Sequence, residues 1–279
     1  MNVFLIALLA AGVSSPAAAP SPVPSTSSAA LVQEQRAEVD PFVAVYREAA
    51  EAGDSERLAE HWRSAPGRVL GTIDQDLEGS LALVEKLREA GDEAEGMDTE
   101  RERIKALRER AIFGAQVAAS AIDMPLLADY VVSFAGWNRE QQLRFREGQK
   151  SYGEARAAQD AGDLERALGL AQRTTELAEP LGDWWGTAVG RSLTARLALE
   201  TGDHGLAQLE AARARSIHRS IGLFGAEARD LLTLGEASLA LGQRGRAAQA
   251  ARAGLELSPE GSRQHPAFED LLKRAEAAE

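Results

Sequence analysis

The sequence has no cysteine, few aromatic residues and few prolines, and each shortage excludes a class of protein. Without cysteine, the 279-residue chain has no disulfide, no thiol nucleophile and no Cys-ligated zinc. Aromatic residues make up 5%, which is thin for the core of a β-sandwich or barrel. Ten prolines occur, and four of them fall between Pro16 and Pro24. The rest is rich in alanine, leucine, glutamate and arginine, without the period-two alternation of strands, and therefore predicts an all-α protein.

Positive charge is also in short supply. Asp and Glu number 43 against 31 Lys and Arg, so the formal net charge is −12. Nonspecific binding of nucleic acid needs a basic surface, and we therefore expect no nucleic-acid partner. The four histidines do not fall at the helical spacing of a metal site, and there is no P-loop, GxGxxG or GxSxG motif. We accordingly expect no metal, no cofactor and no enzymatic activity.

The chain opens with an uninterrupted apolar run, Val3–Val13. Its length is typical of the apolar region of a signal peptide, whereas a membrane-spanning helix needs about 20 residues. Small residues follow and offer a cleavage site at Ser15-Pro16-Ala17 or at Ala17-Ala18-Ala19. We predict a signal peptide over 1–19, an unfolded Pro/Ser/Ala-rich linker over 20–36, and a periplasmic or secreted protein without a transmembrane span. The alternative is a disordered apolar tail on a cytoplasmic protein.

The most informative pattern is a 40-residue period in the second half of the chain. Gly162, Gly202 and Gly242 recur at this period, and Asp163 and Asp203 follow the first two. Alanines recur in the same way, as Ala167, Ala207 and Ala247 and as Ala171, Ala211 and Ala251. Glycine ends a helix in the left-handed conformation, and the following aspartate caps the next helix. Each period therefore predicts an antiparallel helix pair that has to stack on its neighbours to bury its apolar face.

This pattern resembles the tetratricopeptide (TPR) repeats, in a variety with a 40-residue period, and would place the chain among bacterial proteins. The best match is the last repeat, Leu234-Gly235…Ser238…Gly242…Ala247…Ala251…Gly254-Leu255…Pro259, in which a serine replaces the first consensus aromatic. The resemblance covers residues 145–262 and implies a right-handed α-solenoid of stacked antiparallel helix hairpins. We assign 145–279 to TPR-like repeats with a C-terminal capping helix.

Residues 37–144 are less regular, and we assign them to a degenerate helical-hairpin region. Thr99–Ala121 predicts one long helix, because acidic residues and a capping position mark its start. Pro125 begins a further short helix that extends to about Phe134.

The resemblance implies a non-enzymatic scaffold that binds a protein or peptide in a concave groove lined by the first helix of each pair. The alternative is a regulatory or sensor module of a bacterial signalling system, which binds a small ligand or controls a separate effector. Neither reading identifies the partner.

Trp185 is the first candidate for partner contact. One period after Trp184 stands Phe224, so Trp184 is expected to pack where repeats meet. One period after Trp185 stands Gly225, so the repeat does not require a large ring there. Adjacent helical residues point about 100° apart, and we therefore expect the two rings not to share one core. A contact tryptophan is a common binding anchor; extra packing is the alternative.

Arg156 and Arg196 are the other candidates, because the same 40-residue period relates them on predicted first helices. A row of arginines in the groove would meet acidic side chains or a C-terminal carboxylate with paired hydrogen bonds. Glu236 takes this position in the third repeat, so the row is short and mixed. Solvated arginines on an exposed face are the alternative.

Overall fold

The computed structural model describes residues 40–91 and 97–277, and every regular element within these ranges is helical. The α-helices are α1 (Pro41–Glu51), α2 (Ser55–Ser64), α3 (Val69–Ala90), α4 (Met97–Ile122), α5 (Pro125–Gly136), α6 (Arg139–Asp160), α7 (Leu164–Ala178), α8 (Trp184–Glu200), α9 (His204–Ser220), α10 (Phe224–Ala240), α11 (Arg244–Leu257) and α12 (His265–Glu276). The all-α prediction is confirmed for this part of the chain, as are the long helix and the short helix that begins at Pro125. The predicted signal peptide and linker lie outside the described residues.

From α6 onward, two turns occur in each 40-residue period. Each of these turns contains a glycine with positive φ. Gly162, Gly182, Gly202, Gly222 and Gly242 have φ between 66° and 84°. An aspartate follows three of them and caps the next helix: Asp163 accepts from the N–H of Arg166, Asp183 from that of Gly186, and Asp203 from that of Leu206. The predicted 40-residue period is therefore made of two similar helix-and-turn units.

Helices α6 to α12 pack in chain order, each against the next. Helices α6, α8, α10 and α12 also contact one another in sequence, and we call them the first-helix row. The alanines of the period lie fully buried at the helix crossings: Ala167, Ala171, Ala207, Ala211, Ala247 and Ala251. Small side chains at these points let neighbouring helices approach closely, as the sequence pattern predicts.

Helices α1 to α5 build the largest apolar cluster, around the fully buried Trp62, Tyr46 and Phe134. The indole N–H of Trp62 donates to the Gly114 carbonyl over 3.0 Å. Residues of the second half join this cluster, among them Leu181, which belongs to the turn before α8. The N-terminal helices thus pack onto the turns between successive helix pairs.

Two turn glycines make that packing possible. A Cβ at Gly182 would lie 2.8 Å from Ser133 Oγ of α5. A Cβ at Gly222 would overlap the side chain of Met124, which is itself buried just before α5. Glycine is therefore needed here both for its left-handed backbone and for the close approach of α5.

Polar groups between α8, α9 and α10 are paired across the helices. Asp230 accepts from the Ser192 hydroxyl and pairs with His218 Nδ1, both over 2.6 Å. Glu227 is fully buried and pairs with Arg215 and Arg219. Such pairs fix how neighbouring helices sit against each other, because breaking one leaves a buried charge without a partner. His218, at the end of α9, is therefore a buried part of the packing.

Ala207→Leu tests the crossing that the period predicts. Ala207 is fully buried where α9 meets its neighbours, and a larger side chain there forces the helices apart. We expect the free energy of unfolding to fall by about 1–3 kcal/mol. Ala212→Leu is the matched control on the exposed side of the same helix and should change stability by less than about 0.5 kcal/mol. Equal urea midpoints for the two variants would contradict the crossing.

Gly254→Ala tests the docking of α12. Phe268 packs directly over Gly254, so an added Cβ would overlap its ring, and we expect a loss of about 1–3 kcal/mol. Gly169→Ala changes another helical glycine whose added Cβ meets open space. Replacing such a glycine by alanine raises stability by about 0.5–1 kcal/mol. Opposite shifts in urea unfolding are expected; a gain at both positions would show that α12 does not pack as described.

Candidate functional site

Three arginines come together on the first-helix row. Arg156 lies on α6, Arg196 on α8 and Arg229 on α10, and we call them the arginine cluster. The charges of Arg156 and Arg229 both act on Arg196, so each of the two lies near Arg196. Among the described residues, no carboxylate forms an ion pair with any of the three. The two arginines predicted from the 40-residue spacing are thus brought together, and Arg229 is a third that the spacing did not reveal.

The surroundings of Arg196 disfavour the charged form of its side chain. Its side chain is half-buried, whereas Arg156 and Arg229 are exposed. Burial lowers the pKa of Arg196 most, and the two neighbouring guanidinium groups lower it further. Tyr152 and Glu200 act in the opposite direction. The cluster is therefore a concentration of positive charge on a protein whose formal net charge is −12, and an incoming anion would relieve it.

Beyond the arginine cluster, the first-helix row carries paired charges of both signs. Glu236, which takes the repeat position of Arg156 and Arg196, forms an ion pair with Arg274 of α12. That arginine is also paired with Asp270, one turn earlier on its own helix. The positive patch therefore ends at α10, since the charge of Arg274 is already neutralised.

Trp184 and Trp185 stand at the start of α8, and both are half-buried. The indole N–H of Trp184 donates to Asp129 of α5 over 2.6 Å. Both rings pack against the N-terminal cluster, so the expectation that they would not share one core is wrong. The reason is that α5 packs against the start of α8, where Asp129 holds the Trp184 indole. Trp185 keeps part of its surface exposed, on the same side of α8 as Arg196, about three turns away.

A group of carboxylates meets near the same end of α8, where the sequence motifs gave no sign of it. Asp74 and Glu78 come from α3 and Asp183 from the cap of α8; we call them the carboxylate junction. The Tyr130 hydroxyl donates to Asp74 over 3.3 Å. Glu78 binds Arg146 over 2.9 Å. A 40-residue comparison could not find this group, because α3 lies outside the repeats.

Burial raises the pKa of Asp74 to about 7, and the charges of Glu78 and Asp183 add to the rise. Burial likewise raises the pKa of Asp183 to about 7, with a contribution from Glu78, although the N–H of Gly186 opposes it. The pKa of Tyr130 is well above its ordinary value, because the ring is buried and faces these carboxylates. Near neutral pH the junction therefore holds protons that exposed aspartates would have lost.

No family model, curated protein or solved structure matches this chain. None of the described helices is long and apolar enough to cross a membrane. Within residues 40–91 and 97–277, no three histidine, aspartate or glutamate side chains group closely enough to hold a metal ion. The candidate site is thus the arginine cluster together with the exposed part of Trp185, which lies on the same side of α8 as Arg196.

Arg196→Gln and Arg191→Gln compare an unpaired with a paired arginine on α8. Arg191 pairs with Glu210 over 2.7 Å and with Glu179 over 3.0 Å, and its removal should cost about 3 kcal/mol. Arg196 forms no ion pair with any carboxylate that the structure describes, so its replacement should leave the free energy of unfolding within about 0.5 kcal/mol or raise it. Urea unfolding at low salt measures both. A loss above about 1 kcal/mol for Arg196→Gln would contradict an uncompensated cluster.

Proposed function

We propose that this protein is a non-enzymatic binding scaffold, a TPR-like right-handed solenoid that holds an acidic peptide segment of a partner protein along its first-helix row. The observation that carries the proposal is the arginine cluster, which concentrates positive charge on one face of an acidic chain and forms no ion pair with a carboxylate of the described residues.

The contacts between helices support a curved stack. Each first helix contacts the next first helix along the chain: α6 contacts α8, and α8 contacts α10. The alternate helices α7, α9 and α11 have fewer contacts with one another among the described residues. In stacked helix pairs the layer whose helices lie closer together is the inner, concave one. The arginine cluster and Trp185 therefore belong to the side on which repeat scaffolds bind extended segments.

The chemistry of this face selects an anion. Arginine presents a planar fork of N–H donors that matches a carboxylate, and the pairing is strongest where water is partly excluded. Arg196 is half-buried and already disfavoured by its neighbours, so a bound carboxylate relieves repulsion as well as forming hydrogen bonds. Two carboxylates in one segment would bridge α6 to α8 and α8 to α10.

The distance to Trp185 sets the length of the segment. Trp185 and Arg196 lie on one helix, and their separation along its axis is about 16 Å at about 1.5 Å per residue. An extended peptide advances about 3.3 Å per residue and covers this distance with about five residues. A segment of five or six residues with an apolar side chain at one end and acidic side chains at the other therefore fits the face.

Fluorescence anisotropy with synthetic peptides tests the proposal. The probe is a labelled hexapeptide with one leucine and three glutamates, acetylated and amidated so that its termini carry no charge. We expect saturable binding that weakens between about 50 and 300 mM salt, because exposed charges are screened over about 8–10 Å. The same peptide with glutamine in place of glutamate should bind at least fivefold more weakly.

Two variants and a control locate the site. Arg196→Ala and Trp185→Ala should each weaken the glutamate peptide by more than about 1 kcal/mol, about fivefold, as expected for an anchor. Arg166→Ala removes an exposed arginine from α7, outside the first-helix row, and should leave the affinity unchanged. Thermal unfolding of each variant checks that the fold is intact. Equal binding by all three variants would remove the first-helix row as the site.

A further inference from the structure

One serine of the first-helix row is bonded to a buried pair of side chains. Ser192 lies on α8, four residues before Arg196 and seven after Trp185, so the three share one side of the helix. Its side chain is half-buried. Its hydroxyl donates to Asp230 Oδ1 of α10 over 2.6 Å. Ser192 therefore belongs to the proposed binding face, while its hydrogen is directed toward the interior.

The carboxylate that accepts this hydrogen is held by two partners. Asp230 Oδ2 pairs with Nδ1 of His218, on α9, over 2.6 Å. The side chains of His218 and Asp230 are only 1% and 2% exposed, so water has little access to the pair. A buried carboxylate that lost a donor would be left with an unsatisfied oxygen, at a cost in free energy. The hydroxyl hydrogen of Ser192 therefore stays on Asp230 when a ligand approaches.

This bond decides what Ser192 offers to a ligand. A serine hydroxyl has one hydrogen and two oxygen lone pairs, so with its hydrogen on Asp230 it acts only as an acceptor. The neighbouring arginines are the reverse, because a guanidinium group only donates. Carboxylates satisfy the arginines, whereas Ser192 needs an N–H or O–H donor. An extended peptide supplies both kinds of group, since every residue except proline carries a backbone N–H.

We propose that Ser192 accepts a hydrogen bond from one backbone N–H of the bound segment, and thereby favours an acidic peptide over anions without N–H groups. The inference rests on the proposed binding of an acidic segment. Along α8, Ser192 lies about 6 Å before Arg196 and about 10 Å after Trp185. An extended peptide covers these distances with about two and three residues. The N–H that Ser192 binds is therefore central, between the apolar end and the acidic end of the segment.

Replacing single amides of the peptide by esters tests this contact. The probe is the labelled, acetylated and amidated hexapeptide Leu-Ala-Ala-Glu-Glu-Glu, and each analogue exchanges one backbone N–H for an oxygen while it keeps every side chain. We expect the ester at one central position to weaken binding to the wild-type protein by about three- to tenfold, the usual effect of one hydrogen bond. Binding of the amide peptide without any such position would overturn the role of Ser192.

Variants of Ser192 assign the loss to its oxygen. Ser192→Ala removes the acceptor, and Ser192→Cys fills a similar volume with sulfur, which is a weak acceptor. In both variants the central ester should bind about as well as the amide peptide. Ser216→Ala is the control, because it removes an exposed serine from α9, outside the first-helix row, and should keep the ester effect. An undiminished ester effect in both Ser192 variants would overturn the assignment.

The ratio of ester to amide affinity separates this contact from a general loss of structure. Partial unfolding of a variant weakens both peptides alike and leaves the ratio unchanged, so a merely structural role of Ser192 would not remove the ester effect. The outcomes also distinguish the two proposals. If the amide peptide binds but no ester matters, acidic-peptide binding stands and the contact with Ser192 does not. If the amide peptide does not bind to the wild-type protein, both are overturned.

Discussion

The close approach of helices at buried alanines is the constraint on which the rest of the structure depends. Ala167, Ala207 and Ala247 have no exposed surface, and each lies where a helix pair crosses. Alanine at a crossing lets two helix backbones lie nearer to each other than leucine would allow. Because of this short separation, α6 contacts α8 and α8 contacts α10. The first-helix row exists because of this spacing. The arginines on three different helices are neighbours for the same reason.

Charge is distributed unevenly between packing and surface. Inside the stack, carboxylates have partners: Glu227 has two arginines, and Asp230 has a serine and a histidine. The arginine cluster is an exception, because none of its arginines forms an ion pair within the described residues. The carboxylate junction is an exception of another kind, because its carboxylates have partners but lie close to one another. Natural sequences violate such local rules chiefly where function requires it. Both exceptions lie on or beside the first-helix row.

The regular part of the fold was predictable because its signals are local. A glycine that ends a helix and an aspartate that caps the next act within a few residues, so a 40-residue comparison locates the turns and the buried alanines. Arg156 and Arg196 were found in the same way. The carboxylate junction was not, because Asp74 and Asp183 are far apart in sequence and meet through the path of α3. The shared environment of Trp184 and Trp185 was missed for the same reason.

The two exceptional sites are physically related through α3 and the first helices. Gln149 and Arg156 lie along one side of α6, and Gln149 donates to Glu78 of α3. Trp185 and Arg196 lie along one side of α8, and Trp185 packs against the cluster that the N-terminal helices build. On both helices the residue nearer the N-terminus contacts the N-terminal helices, and the arginine follows it toward the C-terminus. The packed part and the positively charged part of the first-helix row are therefore separated along the helix axes.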